Sequence, residues 1–494
     1  MKGAAQEDAG NPPSLPEHVG ETHSLPEHVS VNPLKMSAPL GGALFFLGLD
    51  RSLPVFHGSQ GCTSFALVLL GRHFKESIPL QTTAMNEVTT ILGGGENISA
   101  AILKILEKGP PGVIGLCSTG LTETKGEDIA GEIALFRKKH PEHAGVPVIA
   151  VSTPDFRGSH EDGFREAMVR TIEELATAAP HTVSGQINVL AGSHLTVADI
   201  DFLRELLESF GLDPIILPDL SRSLDGIVPD SFEPVSMGGT TLSEISRMGS
   251  SEHTIVLGES LRAAGEALLK KCGVPFVVVS RLMGLAAFDR FLVTLRHLSG
   301  RDYPRPLVRE RTRLSDAMLD SHFYLGGLRA ALALEPDLLY DMGHFLRENG
   351  AEVVASVTTT PSPLNARMAG EKAEIGDLGL LERRAGERGA AILVTHSHGR
   401  QAAARLGIPL VRTGFPVFDR LGAPHRLSIG YRGAREMLFR IANTVWSRDA
   451  ENTPQTWYPS DFAKAGGQES GGEAASGFSS PGNGLRPQPT GRIE

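Results

Sequence analysis

Ten short, continuous apolar runs recur along this chain and constrain its fold more than any other feature. They begin at Val113, Val148, Ile187, Pro214, Thr254, Phe276, Arg329, Val353, Ala391 and Pro409. Helix-patterned segments lie between them, among them Asp162 to Ala178 and Val197 to Phe210. A strand buried on both faces reads as an unbroken apolar run, whereas a half-exposed one alternates. Runs of the first kind alternating with helices build parallel sheets covered on both sides. They fall into three series. The expected fold is therefore α/β, with three Rossmann-like domains, each a mainly parallel sheet flanked by helices.

Length agrees, because 494 residues exceed what one core organises. The expected boundaries are 34–184, 185–305 and 306–450. Residues 1–33 are rich in Pro, Glu, Ser and Gly, and repeat Ser14-Leu15-Pro16-Glu17-His18-Val19 at Ser24 to Val29. Residues 451–494 are dominated by Gly, Ser and Pro. Neither segment buries enough apolar surface to offset its ordering entropy, so both are expected to be disordered tails.

Composition excludes several functions. A net charge of −10 with no basic stripe argues against nucleic-acid binding. No apolar run approaches the ~20 residues of a membrane span. The opening MKGAAQEDAGNPPSLPEHV has no apolar core of a secretory signal, so a cytoplasmic protein is expected. Three cysteines, Cys62, Cys117 and Cys272, make no disulfide framework and no CxxC pair. A cubane iron–sulfur cluster takes four thiolates, so most ligands of any such cluster would come from another polypeptide.

One cysteine stands apart. His57-Gly58-Ser59-Gln60-Gly61-Cys62 reads as a turn whose glycines permit positive φ, delivering Cys62 to the start of the apolar helix TSFALVLLGRHF. Unpaired N–H groups and the helix dipole favour a thiolate there, the metal-binding form. A small buried thiol packing as a hydrophobe is the other reading of the same residue. Cys117 lies within a strand-like run, and Cys272 sits at a helix-to-strand turn before Gly273. Gly93-Gly94-Gly95 lacks the spacing of a nucleotide loop and reads as a turn or cap. His396-Ser397-His398 pairs two imidazoles, but Gly399 favours a polar loop. The acids between Thr122 and Asp128 fit helix N-terminal capping. No Ser-His-Asp or paired-carboxylate arrangement can be read from the spacing, so no catalytic residue is assigned.

The motifs as a set resemble the β-type subunits of the nitrogenase component 1 family. They are the Cys62 turn with Arg72-His73-Phe74 and Met85-Asn86-Glu87, Gly238-Gly239-Thr240-Thr241, Met318-Leu319-Asp320-Ser321-His322, and Gly414-Phe415-Pro416-Val417-Phe418-Asp419-Arg420. The resemblance runs from about Leu34 to Arg448. Ser30 to Leu40, Leu80 to Glu87, Cys117 to Thr124 and Val151 to Phe156 are similar to the members that assemble the iron–molybdenum cofactor in particular.

Departures from the catalytic β subunit shape what the resemblance implies. That subunit holds half of its P-cluster with three cysteines in the first domain. Here the Cys62 position keeps its thiol, but Ser37 and Gly120 stand at the other two. One thiolate with three from a partner suits a single [4Fe–4S] cluster. The resemblance thus implies a scaffold paired with a NifE-type subunit in an α2β2 heterotetramer, with Cys62 as this chain's metal ligand. An iron–molybdenum cofactor precursor, delivered by a cofactor-precursor donor and held chiefly by the NifE-type chain, would mature there with the nitrogenase Fe protein. Whether such maturation counts as enzyme catalysis is left open by the residues. The alternatives are a catalytic β-type subunit of nitrogenase, the related protochlorophyllide reductase, and an NAD-linked dehydrogenase. Ser37 and Gly120 disfavour the first. Cys62 disfavours the second, whose matching subunit carries an aspartate ligand there. The third lacks a GxGxxG after any strand.

Overall fold

Every paired strand runs parallel to its neighbours, as unbroken apolar runs require. The computed structural model describes residues 33–226, 228 and 233–452. Apart from Pro33, Glu451 and Asn452, the tails assigned to disorder lie outside the described residues. The first sheet holds β1 (Ser52–His57), β2 (Gln81–Thr82), β3 (Val113–Ser118) and β4 (Val148–Val151) in the order β2-β1-β3-β4. The second holds β5 (Ala178–Leu190), β6 (Asp213–Leu217), β7 (Gly249–Leu257) and β8 (Phe276–Val279) in the order β6-β5-β7-β8. The third holds β9 (Arg329–Ala333), β10 (Glu352–Thr358), β11 (Glu374–Ile375), β12 (Ile392–Thr395) and β13 (Leu410–Arg412) in the order β11-β10-β9-β12-β13. The fold is α/β with three parallel sheets flanked by helices.

Two elements differ from the sequence reading. The run Ser52–His57 was not expected as a strand, yet β1 is central and buried throughout. Pro54 hides it, since proline cannot donate to a ladder. The even-numbered residues of β1 turn their backbone toward the β2 edge, where Phe56 O accepts from Thr83 N and Gly58 O from Met85 N. Because β2 pairs only with Val55 and Phe56, the missing Pro54 donor leaves no partner unserved. The helix expected to reach Ala178 ends at Leu175, and β5 begins at Ala178 with exposed residues before its buried run from Gln186. That exposed lead carries no continuous apolar signal.

The helix α1 (Ala38–Leu47) is buried at all ten positions, so its sequence is apolar on every side rather than striped. Phe46 lies where a Cβ on Gly115 of β3 would sit, and Phe45 meets Phe164 edge-on at 5.7 Å. One apolar cluster then runs from Met36 through all three sheets to Ala442, joining the series into a common core. No described helix is long and apolar enough to cross a membrane.

Where the three series meet, the ties are buried carboxylates. Asp341 accepts from the Leu282 and Met283 N–H groups, and Asp199 from Ser428 and Ile429. Glu335 accepts from the hydroxyls of Ser159 and Thr359, both at 2.6 Å. Burial pushes Glu335 and Asp341 up to about 7 despite these donors. Glu161 is raised well above the carboxylate range by burial and by the charges of Asp337 and Glu335.

These groups make stability depend on pH. A carboxyl with a raised native pKa binds its proton more tightly when folded, so its contribution is lost as pH rises through about 7. Burial acts oppositely on the imidazoles, pushing His73 down to about 3 and His160 and His396 down to about 4. The unfolded chain protonates them near 6.5, so stability is also lost as pH falls below that value. The two sets oppose each other between about pH 5 and 7, the carboxyls losing and the imidazoles gaining stability as pH rises, and neither changes it above about 7. Glu335→Gln removes one opposing carboxyl, so stability measured by thermal denaturation should rise more steeply from pH 5 to 7 than in the wild type; an unchanged slope would contradict this account.

Candidate functional site

The sheet order places a topological switch between β1 and β3, the position where open parallel sheets bind ligands beyond their carboxyl ends. Both strands lead into helices at that edge. From β1 the chain enters α2 (Gln60–Phe74), and from β3 it enters a short helix at Gly120–Lys125. Cys62 is the third residue of α2, after Ser59 at the N-cap, and is half-buried. The Ser59 hydroxyl lies 3.8 Å from its Sγ.

The Ser37 and Gly120 positions belong to the same edge. Lys35 Nζ donates to Asp155 O at 3.2 Å, while the Gly120 N–H donates to the Asp155 carboxylate at 3.3 Å. The Thr119 hydroxyl donates to His57 O at 2.9 Å. Ser37, Cys62 and Gly120 thus begin three helices linked through Asp155, Thr119 and the end of β1. Of the three, only Cys62 offers a thiol. Among the described residues no group of three or more His, Cys, Asp or Glu side chains forms a metal site.

A buried network fixes the turn. The His57 ring accepts from the Thr83 hydroxyl at Nδ1 (2.9 Å), and the Gly58 N–H donates to that same oxygen. His57 Nε2 lies 2.5 Å from the Glu127 carboxylate, which also accepts from the Gly94 N–H and pairs with Lys125. Burial lowers the His57 pKa against the pull of Glu127, leaving a neutral ring that donates from Nε2. Burial resists ionisation of Glu127, but Lys125, His57 and Gly94 outweigh it and hold the carboxyl below its usual range. Nothing in the sequence pattern signals this pair, because its members lie 70 residues apart.

The glycines act differently from expectation. Neither Gly58 nor Gly61 has a positive φ. Gly58 is needed for space, since a Cβ there would lie 2.3 Å from the Thr119 hydroxyl. At Gly61 a side chain would meet nothing closer than 3.9 Å. The Gly93-Gly94-Gly95 run does make a cap junction, between the helices Glu87–Leu92 and Gly95–Lys108. Among the acids of Thr122 to Asp128, Asp128 caps Ile129–Lys139, whereas Glu123 accepts from Ser118 and Ser152.

The remaining cysteines lie elsewhere. Cys117 is fully buried in β3, and burial pushes its thiol up to about 12. Cys272 ends the helix Arg262–Cys272, its thiol also raised by burial. His396 follows β12 and donates to Leu34 O, so the His396–His398 pair forms a turn rather than a continued strand.

Apolar side chains stand exposed around Cys62. Phe65 and Val68 project from α2 one and two turns on, with Phe65 75% exposed. Val88 and Ile91 extend the surface from Glu87–Leu92, which Lys125 fastens to the edge through Thr89 O. Leu121, in the helix after β3, and Phe156, after β4, are exposed as well. Exposed apolar side chains gathered in one patch mark an interaction site.

The profile of the nitrogenase component 1 type oxidoreductases matches residues 37–446. The nitrogenase iron-molybdenum cofactor biosynthesis protein NifN of Bradyrhizobium diazoefficiens is 50% identical over 433 residues, covering 86% of this chain and 92% of its own. Proteins of the same name are 47% identical in Rhodobacter capsulatus (88% and 95% covered) and 39% identical in Klebsiella pneumoniae (85% and 92%). Among solved structures, a chain of "Nitrogenase Cp1 at pH 6.5" superposes with a TM-score of 0.83 at 30% identity, covering 88% of this chain and 97% of that one.

Proposed function

The chain belongs to the nitrogenase component 1 type oxidoreductase family, and from that premise we propose that it is a scaffold subunit for assembly of the iron–molybdenum cofactor. The relatives named NifN, at 39–50% identity over most of their length, support a biosynthetic role. The carrying observation is local: one half-buried thiol at the switch-point edge, with no second thiol at Ser37 or Gly120, which start neighbouring helices, and exposed apolar side chains on the same helix.

That donor set fits one corner of a shared [4Fe–4S] cluster and does not fit half of a P-cluster. Cys62 would hold the cluster from this side, with the remaining thiolates supplied by a NifE-type subunit seated on Phe65, Val68, Val88 and Ile91. A cubane bound there supplies one-electron capacity at the subunit boundary. This chain's own part is positional. His57, Thr83 and Glu127 clamp the turn that presents the thiol, and the apolar rim excludes water from the junction. In this reading the complex is an α2β2 heterotetramer in the cytoplasm, and an iron–molybdenum cofactor precursor from a donor protein matures on it with the nitrogenase Fe protein. The domains are those at 34–184, 185–305 and 306–450.

A catalytic β-type role is disfavoured by the missing thiols at positions 37 and 120. Coexpression with a NifE-type chain tests the proposal. Expected is a copurified pair with a reducible cubane signal and no P-cluster signal. An iron-loaded chain that is stable alone, or a P-cluster signal in the pair, would overturn it.

A further inference from the structure

A cavity of about 90 Å³ lies in the interior, far larger than the about 10–15 Å³ that one ordered water needs. It forms where the loops after β5, β9 and β12 converge, carrying His194, Glu335 and His396. In the second sheet β5 borders the switch to β7, and in the third β9 and β12 border each other at the switch. The cavity therefore occupies the ligand position of two sheets at once.

Its polar lining is incomplete. His160 Nε2 and His194 Nδ1 have no hydrogen-bond partner, nor has Arg440 Nε. Arg412 is committed to Asp419, at 2.8 Å. Arg440, by contrast, meets only the Met437 sulfur, and neither it nor Arg426 pairs with a carboxylate among the described residues. Burial and then the like charge of Arg426 push Arg440 down to about 10, with Glu436 a weaker opposing influence. It stays protonated at neutral pH. Glu335, also in the lining, is held by Ser159 and Thr359, and burial pushes it up to about 7. Water can satisfy an orphaned imidazole. It does not neutralise the Arg440 guanidinium, whose Nε is buried and which Arg426 repels.

We propose that this cavity binds a small tetrahedral oxyanion, held by the Arg426 and Arg440 guanidiniums, with His160 and His194 supplying further hydrogen bonds. Size sets the class, because a cavity of about 90 Å³ with Phe415, Leu338 and Met437 in its walls suits a small ion better than an extended body. Charge sets the valence, since a planar guanidinium fork matches a polyoxygen anion. The site is separate from the Cys62 edge and does not depend on the assembly role.

Calorimetric titration of the full-length chain in complex with its partner subunit tests it, with sulfate, phosphate and molybdate as probes and chloride as the monovalent control. Expected is saturable binding of at least one divalent probe and none of chloride. Arg440→Met and Arg426→Met should each weaken it at least tenfold, while the exposed Arg432→Met should leave it unchanged. Should Arg440→Met fail to fold, Arg426→Met and Arg440→Lys carry the comparison. Absence of binding in the wild type, or equal affinity in the Arg426 and Arg440 variants, would overturn the proposal.

Discussion

Cys62→Ala is expected to leave the two-subunit complex folded and strip it of most of its cluster iron. The thiol is half-buried at the start of α2, packs partly against the main apolar cluster and lies 3.8 Å from the Ser59 hydroxyl, so its removal costs the fold about 1 kcal/mol. The loss to the cluster is of another order. Substitutions that merely support a ligand lower metal affinity about 10–100-fold, so deleting a ligand should exceed ~10-fold. Cys117→Ala and Cys272→Ser supply the contrast. Cys117 is enclosed in β3 against α1, where a cavity costs about 1–2 kcal/mol but no iron. Cys272 lies at a helix end on the second sheet, away from the edge. Iron content and electron paramagnetic resonance of the reduced complex decide the matter. A Cys62 variant that keeps the signal, or a Cys117 variant that loses it alone, would reverse the assignment.

How much of this was legible in the sequence depends on the range of the signal. Runs such as Val113–Ser118 and Ile392–Thr395 announce buried parallel strands by themselves, because burial on both faces removes polar residues from every position. Pro54 masked β1, since the exemption it enjoys comes from a two-residue neighbour that no local pattern reveals. Cys62 at a helix start was readable from the turn before it. The network that steadies it was not: His57, Thr83, Gly94 and Glu127 come from four segments that meet only once the sheet has formed. The inner cavity was more remote still. His160, His194, Glu335 and Arg440 share it through strand order in two sheets, and strand order is a property of packing rather than of spacing.

Gly163→Ala should be the most damaging single substitution away from the cysteine edge. Gly163 lies in the first turn of the helix His160–Leu175, and a Cβ there would stand 1.8 Å from Ala38 O. Gly41 of α1 answers it, its own Cβ falling 1.8 Å from His160 O. The two helices therefore cross at their first turns with backbone against backbone, tied further by the His160 N–H donating to Met36 O at 3.0 Å. Neither carbonyl can rotate away, so an added methyl must push α1 aside by more than about 1 Å. Because α1 is buried on all sides, that movement disturbs Phe45 and Phe46 in the core and Ser37 at the cluster edge together. A cost of roughly 3 kcal/mol follows, at the upper end for overpacking. Gly145→Ala is the matched control, since nothing lies within 4 Å of its Cβ and φ is not positive, yet the unfolded chain loses the same freedom. Thermal denaturation and coexpression yield of the complex should fall for Gly163→Ala and Gly41→Ala and stay level or rise slightly for Gly145→Ala. On the proposed assignment iron should be lost with them even though Cys62 is intact, because α1 packs against β1 and β3, the strands that lead into the Cys62 and Gly120 helices. If Gly163→Ala matches the control in stability and iron, the helices do not meet at these glycines and the route from α1 to the edge is broken.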